Sequence, residues 1–123
     1  MVVGEGYNQV VQNKDPTCHA EMQSIQVASQ TLNSFDLSGC VMYTSCEPCP
    51  MCLSATYWAK IGKIYYGSSH MDALEYGNFS DSNILSELQK KNEDRAIICE
   101  QYMQNEAVHV WREYQALPDK IRY

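Results

Sequence analysis

No apolar run in this 123-residue chain approaches the roughly 20 residues a helix needs to cross a bilayer, so a soluble protein without a membrane partner is expected. Basic residues are also scarce. Nine stand against fifteen acids, for a net charge of −6, and residues 1–60 hold only Lys14 and Lys60. A protein that grips a duplex or a tRNA normally displays a basic stripe to neutralise phosphates. None is visible, so no nucleic-acid partner is expected and a small uncharged substrate fits better. Internal repeats and low-complexity segments are missing, which excludes solenoids and linkers. No charged-then-apolar leader precedes the first cysteine. The length suits one domain with a sizeable core, residues 1–123, and an apolar content of 45% excludes disorder.

Cysteine is plentiful, with six in the chain. Without a leader and without a tiny loop-rich scaffold, they read as reduced thiols of a cytoplasmic protein rather than as a disulfide framework. Two clusters stand out: His19-Ala20-Glu21, and Pro48-Cys49-Pro50-Met51-Cys52. One imidazole and two thiolates make a nitrogen and sulfur set suited to Zn²⁺. Three protein ligands leave the fourth tetrahedral position for water, as in a catalytic centre. Zinc lowers the pKa of such a water from about 9 for the aqueous ion to roughly 7. A carboxylate that is not a ligand can then move the water's proton, and Glu21 stands two residues from the histidine for that task. Cys49 and Cys52, at i and i+3, fall on one side of a helical first turn, whose partial positive charge favours thiolate.

Two other metal centres use the same residues. Cys46, Cys49 and Cys52 form three quarters of a bacterial ferredoxin run, but the fourth position is Thr56 and no second cluster exists. A structural Cys₃His zinc that recruits Cys46 would leave Glu21 without a purpose.

Strands and helices alternate along the chain. Residues 2–6 read as the end of a strand, followed by a polar loop through Lys14. Asp15 is placed to cap a helix with Pro16 in its first turn, and Met22, Ile25, Ala28 and Leu32 recur at helical spacing through Asn33. Residues 40–45 are β-rich, 50–60 helical up to Gly62, and 63–67 a strand. Residues 68–80, rich in Ser, Gly, Asp and Asn, read as a loop of functional length. A short helix over 82–91 and a strand over 95–102 with Ile97 and Ile98 follow. The last helix starts near Asn105 and presents Ala107, Val110, Trp111, Tyr114 and Leu117 on one side. This alternation predicts a three-layer α/β/α sandwich with a mixed sheet.

The pattern H-x-E followed by P-C-x-x-C resembles the cytidine deaminase-like zinc hydrolases. Thr44-Ser45-Cys46-Glu47-Pro48-Cys49-Pro50-Met51-Cys52-Leu53, Tyr57-Trp58-Ala59, Asp15-Pro16-Thr17, Gly6-Tyr7-Asn8 and the terminal Tyr123 are similar to the bacterial guanine deaminases within that family. The resemblance implies the same sandwich, lacking the family's first helix and strand, and hydrolysis of guanine to xanthine and ammonia. It implies one zinc per chain on His19, Cys49 and Cys52, with Glu21 as proton shuttle. It also implies substrate contacts from Asn8, Trp58, Asp81 and Tyr123, and a homodimer whose C-terminal segments exchange to close each other's pockets. Three of these have local readings as well: Asn8 in a turn, Trp58 in the core, Asp81 as a helix cap. A deaminase acting on tRNA adenosine, a nucleoside or cytosine, and an inactive zinc-stabilised binding module, are the alternatives. His70 and His109 read as lone surface or loop histidines.

Overall fold

The computed structural model describes all residues 1–123, which form two compact units, Met1–Ile84 and Leu85–Tyr123. In the first, an irregular segment leads to a single-turn helix α1 (Val10–Asn13). Then come α2 (Ala20–Leu32), β1 (Val41–Cys46), α3 (Pro50–Trp58), β2 (Lys63–Ser68), α4 (His70–Gly77) and the start of α5 (Asp81–Gln89). The second holds the rest of α5, a 3₁₀ turn at Asn92–Asp94 and α6 (Gln104–Ala116). No helix is long and apolar enough to cross a membrane.

β1 and β2 pair in parallel, with Val41 opposite Lys63, Tyr43 opposite Tyr65 and Cys46 opposite Ser68. Parallel neighbours need a crossover, and α3 supplies it. The period of two along β1 buries Met42 and half-buries Thr44 and Cys46, while Val41, Tyr43 and Ser45 are exposed. On the exposed face the Tyr43 and Tyr65 rings stack with centroids 5.1 Å apart.

α2 packs against α3. Their shared core is Ala28, Leu37 and Ala59, with Val3, Ile25, Cys40 and Ile61 around it. Leu37, 1% exposed, donates its N–H to the Ala59 carbonyl at 2.9 Å, stitching the loop after α2 to the end of α3. α2 stops where Asn33 turns left-handed (φ 49°), a conformation asparagine tolerates.

Residues 1–9 lie directly on α2. A Cβ at Gly4 would sit 2.4 Å from the Ser24 carbonyl oxygen, and one at Gly6 would sit 2.4 Å from that of Ala20. Only glycine allows this approach of backbone to backbone. Gly4→Ala is expected to destabilise the fold by about 1–3 kcal/mol, the usual cost of overpacking, read as a lower urea midpoint. An unchanged midpoint would show that the segment is not seated there.

Several expected elements differ. The sheet has two parallel strands instead of a mixed set, because neither residues 2–6 nor residues 95–102 join it. The first segment is docked on a helix by its glycines, and the second has Ile97 and Ile98 exposed with no strand beside it. Asp15 does not cap α2. Its Oδ1 accepts the Thr17 N–H at 2.8 Å and the Thr17 hydroxyl at 2.7 Å, which makes a turn. The helix therefore begins at Ala20 with His19 in the capping position. The polar stretch before Lys14 contains α1, and the expected loop over 68–80 contains α4. A capping box starts α4: the Ser69 hydroxyl accepts from the Asp72 N–H while the Asp72 carboxylate accepts from the Ser69 N–H.

Candidate metal centre

Two helix starts converge on one point. His19 precedes α2 in extended conformation (φ −73°, ψ 153°), and Cys49 precedes α3 in the same way (φ −63°, ψ 166°). Pro50 opens α3, where its missing N–H costs nothing, and the Cys49 sulfur accepts the Cys52 N–H at 3.5 Å. His19 Nδ1 then lies 3.5 Å from Cys49 Sγ and 3.5 Å from Cys52 Sγ. All three donor atoms fall within 4.8 Å of one another. A tetrahedral ion with bonds of about 2.1 Å to nitrogen and about 2.3 Å to sulfur sets those atoms about 3.6 Å apart. The three side chains therefore fit zinc in distance as well as in chemistry.

Burial helps. Cys52 is fully buried and Cys49 is 8% exposed. The Cys49 thiol is drawn down to about 6, first by its hydrogen bond with the Cys52 thiol and further by backbone N–H groups and by His19. Cys52 is pushed up by the same bond, by burial and by the Glu21 charge. The two shifts run in opposite directions because the sulfurs share one hydrogen bond, and a divalent cation, which binds thiolate, would favour loss of the proton between them.

Glu21, in the first turn of α2, borders this triad without joining it. Its Oε2 accepts from Cys52 Sγ at 3.5 Å, and its Oε1 accepts from the Thr44 hydroxyl at 3.3 Å. Residues two apart on a helix do not share a face, yet His19 and Glu21 reach one site because the helix end points at it. Thr44 is the residue that the sequence did not single out as functional. Its signal was its place on the inward side of β1, two positions after buried Met42 and so on the same face.

The remaining candidates are placed individually. Asn8 is exposed, and its Oδ1 accepts the Val10 N–H at 3.1 Å, so its turn role is occupied. Trp58, the last residue of α3, is largely exposed and is no core tryptophan. Asp81 is the first residue of α5 and half-buried. Tyr123 is exposed at the end of the second unit. His109 is exposed on α6, whereas His70 is not a lone surface residue: its ring nitrogen lies 2.9 Å from the Pro48 carbonyl oxygen.

Comparison with known proteins agrees with this geometry. Residues 1–68 match the cytidine and deoxycytidylate deaminase zinc-binding region. The chain is 40% identical over 122 residues to the guanine deaminase of Bacillus subtilis strain 168, covering 99% of this chain and 78% of that protein. The crystal structure of a Bacillus subtilis guanine deaminase superimposes with a TM-score of 0.94 at 39% identity, over all of this chain and 78% of the other. A Nitrosomonas europaea guanine deaminase superimposes with a TM-score of 0.59 at 26% identity, over 91% and 64% of the two chains. A tRNA-specific adenosine deaminase of Aquifex aeolicus is 40% identical over 86 residues, 70% of this chain and 56% of that protein. The fold is thus cytidine deaminase-like with a small parallel sheet, and His19, Cys49 and Cys52 are placed to form its zinc site. By its matched region and its likeness to guanine deaminase over nearly all of its own residues, the chain belongs to the cytidine and deoxycytidylate deaminase zinc-binding family.

Proposed function

We propose that this chain hydrolyses guanine to xanthine and ammonia, and that residues 1–123 work as one deaminase domain. The observation that carries this reading is the Glu21 carboxylate at 3.5 Å from Cys52 Sγ, on the rim of a nitrogen and sulfur triad. That pairing of proton carrier and metal ligands sits in a chain 40% identical to a guanine deaminase over nearly its whole length.

When bound, zinc acidifies a water and so makes a nucleophile available near neutral pH. Glu21 is the group placed to move both protons: one from the attacking water to purine N3 as the C2–O bond forms, and then that of the new C2 hydroxyl to the exocyclic nitrogen. With that second transfer the hydroxyl becomes the carbonyl of xanthine, the bond from C2 to the exocyclic nitrogen breaks, and ammonia leaves. Thr44 holds one oxygen of the carboxylate so that the other stays at the triad. Asn8 offers its amide N–H to the ring while its oxygen stays on Val10. Trp58 offers an exposed aromatic face and Asp81 a carboxylate to the base edge, while Tyr123 is read as reaching the pocket of a second copy.

Ammonia release from a panel of bases, nucleosides and tRNA tests this. Guanine is expected to outpace cytosine, cytidine and adenosine by about a hundredfold or more, because a pocket built for one base edge leaves polar groups unpaired with another. Preference for a tRNA anticodon stem would favour the adenosine deaminase reading, and no ammonia from any substrate would favour a zinc-stabilised binding module.

The same reading includes a homodimer in which the C-terminal segment of each copy closes the pocket of the other. In support, α6 has no buried residue and leaves Val110 and Trp111 exposed, an apolar face that a second copy would cover. The tail is tied back to α6: the Tyr114 hydroxyl donates to the Ile121 carbonyl at 2.6 Å, and Lys120 Nζ donates to that of Gln115 at 2.7 Å. Such anchoring would present Tyr123 as a formed lid. Deleting residues 119–123 is expected to lower turnover by about tenfold or more through loss of water exclusion, with zinc content unchanged. Light scattering that reports a monomer, or a truncated enzyme of full activity, would remove the lid. All six cysteines are free, which supports a reducing, cytoplasmic setting.

A further inference from the structure

Cys49 sits in an unusual stretch of backbone. Pro48 and Pro50 flank it, both buried, and neither has an N–H with which to fasten the loop. The Pro48 carbonyl is an acceptor in a buried segment, where an acceptor without a partner costs about 1–3 kcal/mol. Its partner comes from 22 residues downstream: His70 Nε2 lies 2.9 Å away. A carbonyl only accepts, so the hydrogen bond requires the proton on Nε2.

The other half of the contact runs in the opposite direction. The Glu47 carboxylate accepts the His70 backbone N–H at 2.9 Å, at the first residue of α4, where the helix start favours a negative charge. The Glu47 N–H in turn donates to the Ser68 carbonyl at 2.8 Å. Three hydrogen bonds therefore bind Glu47 and Pro48 to residues 68–70, and none of them uses a metal ligand. The His70 side chain is only 15% exposed.

We propose that His70 is a positioning residue for the metal loop: its Nε2–H bond to the Pro48 carbonyl fixes where the Cys49 sulfur stands and so governs how fast the site lets zinc go. Cys49 follows Pro48 directly, and the fixed φ of the two prolines leaves the peptide joining Pro48 to Cys49 as the soft point. A donor on that peptide's carbonyl removes the softness without touching a ligand. This inference rests on the zinc centre and not on the identity of the substrate.

The test is release of zinc from the loaded 123-residue chain into excess chromophoric chelator, followed by absorbance. Two variants remove the donor, His70→Ala and His70→Leu, the second keeping most of the ring's volume in case the first does not fold. A third, His70→Gln, keeps an N–H at a similar reach. Donor-free variants are expected to release zinc about tenfold faster, one hydrogen bond's worth, while His70→Gln stays within about threefold of wild type. Release at the wild-type rate from a folded donor-free variant would overturn the proposal. So would His70→Gln releasing as fast as His70→Leu, since the ring would then act by its shape or through Nδ1, 3.6 Å from the Glu47 carboxylate, and not through the Nε2 donor.

Discussion

Glu21→Gln is expected to keep one zinc per chain and the wild-type urea midpoint while guanine turnover falls about 10²–10⁴-fold, the usual contribution of a positioned proton carrier. The amide has the shape of the carboxylate, and its oxygen still accepts from the Thr44 hydroxyl, 3.3 Å away in the native chain. It cannot hold and release a proton. Because Glu21 lies outside the set of donor atoms that gather around one point, the metal has no reason to leave. The loss should fall on kcat with KM little changed, since the missing interaction belongs to the transition state. Ammonia release and metal analysis on the same sample separate the two roles. A variant within about tenfold of wild type would mean that the proton travels by another route.

The second large effect is the loss of a ligand. Cys49→Ala is expected to lose zinc on purification, to lose essentially all turnover, and to unfold at lower urea than Glu21→Gln. Cys49 has two roles, and alanine fills neither. Its sulfur is one of the three donors, and it also accepts the Cys52 N–H at the start of α3, a capping bond whose removal costs about 1 kcal/mol. Metal binding and folding are linked where the unfolded chain has no formed site, so the missing metal adds to the missing cap. The wild-type protein should be colourless with one zinc, since Zn²⁺ is d¹⁰. Brown protein containing iron and sulfide would overturn the zinc assignment and this prediction with it. Retained zinc in Cys49→Ala would instead promote Cys46 to ligand.

The metal triad was legible in the sequence because its residue types announce it: H-x-E and P-C-x-x-C carry zinc donors whose shared chemistry ties them together even though His19 and Cys49 are 30 positions apart. Thr44 and His70 were not, for one shared reason. Thr44 meets Glu21 across 23 residues, and His70 meets Pro48 across 22, and neither a threonine nor a lone histidine carries a motif that announces such a partner before the chain folds. The strand expected at residues 95–102 failed differently. Ile97 and Ile98 carry the right local preference, but a strand is a pairing state and nothing pairs with them. Residues 2–6 read as β from Val2 and Val3, whereas Gly4 and Gly6 decide the outcome by letting the backbone settle on α2. α4 was hidden by composition: the Ser, Gly and Asn content suggested a loop, while the Ser69–Asp72 capping box was already written in the letters.

His19 and Cys52 are 33 positions apart in the chain. A zinc ion that holds both is therefore a cross-link as much as a cofactor, closing a loop that contains all of α2 and β1 and the start of α3. For a loop of that size, chain-entropy reasoning assigns a cross-link roughly 3–4 kcal/mol, in the range of a disulfide. Unlike a disulfide, this link is reversible and reports its surroundings. Above the dissociation constant, every tenfold rise in free zinc adds about 1.4 kcal/mol to the stability of the folded chain, and every tenfold fall removes it. The atoms that would activate water therefore also set a metal concentration below which the molecule is short of a tether. Starvation for zinc would appear first as turnover of the protein itself, before any loss of catalytic rate per folded molecule could be measured.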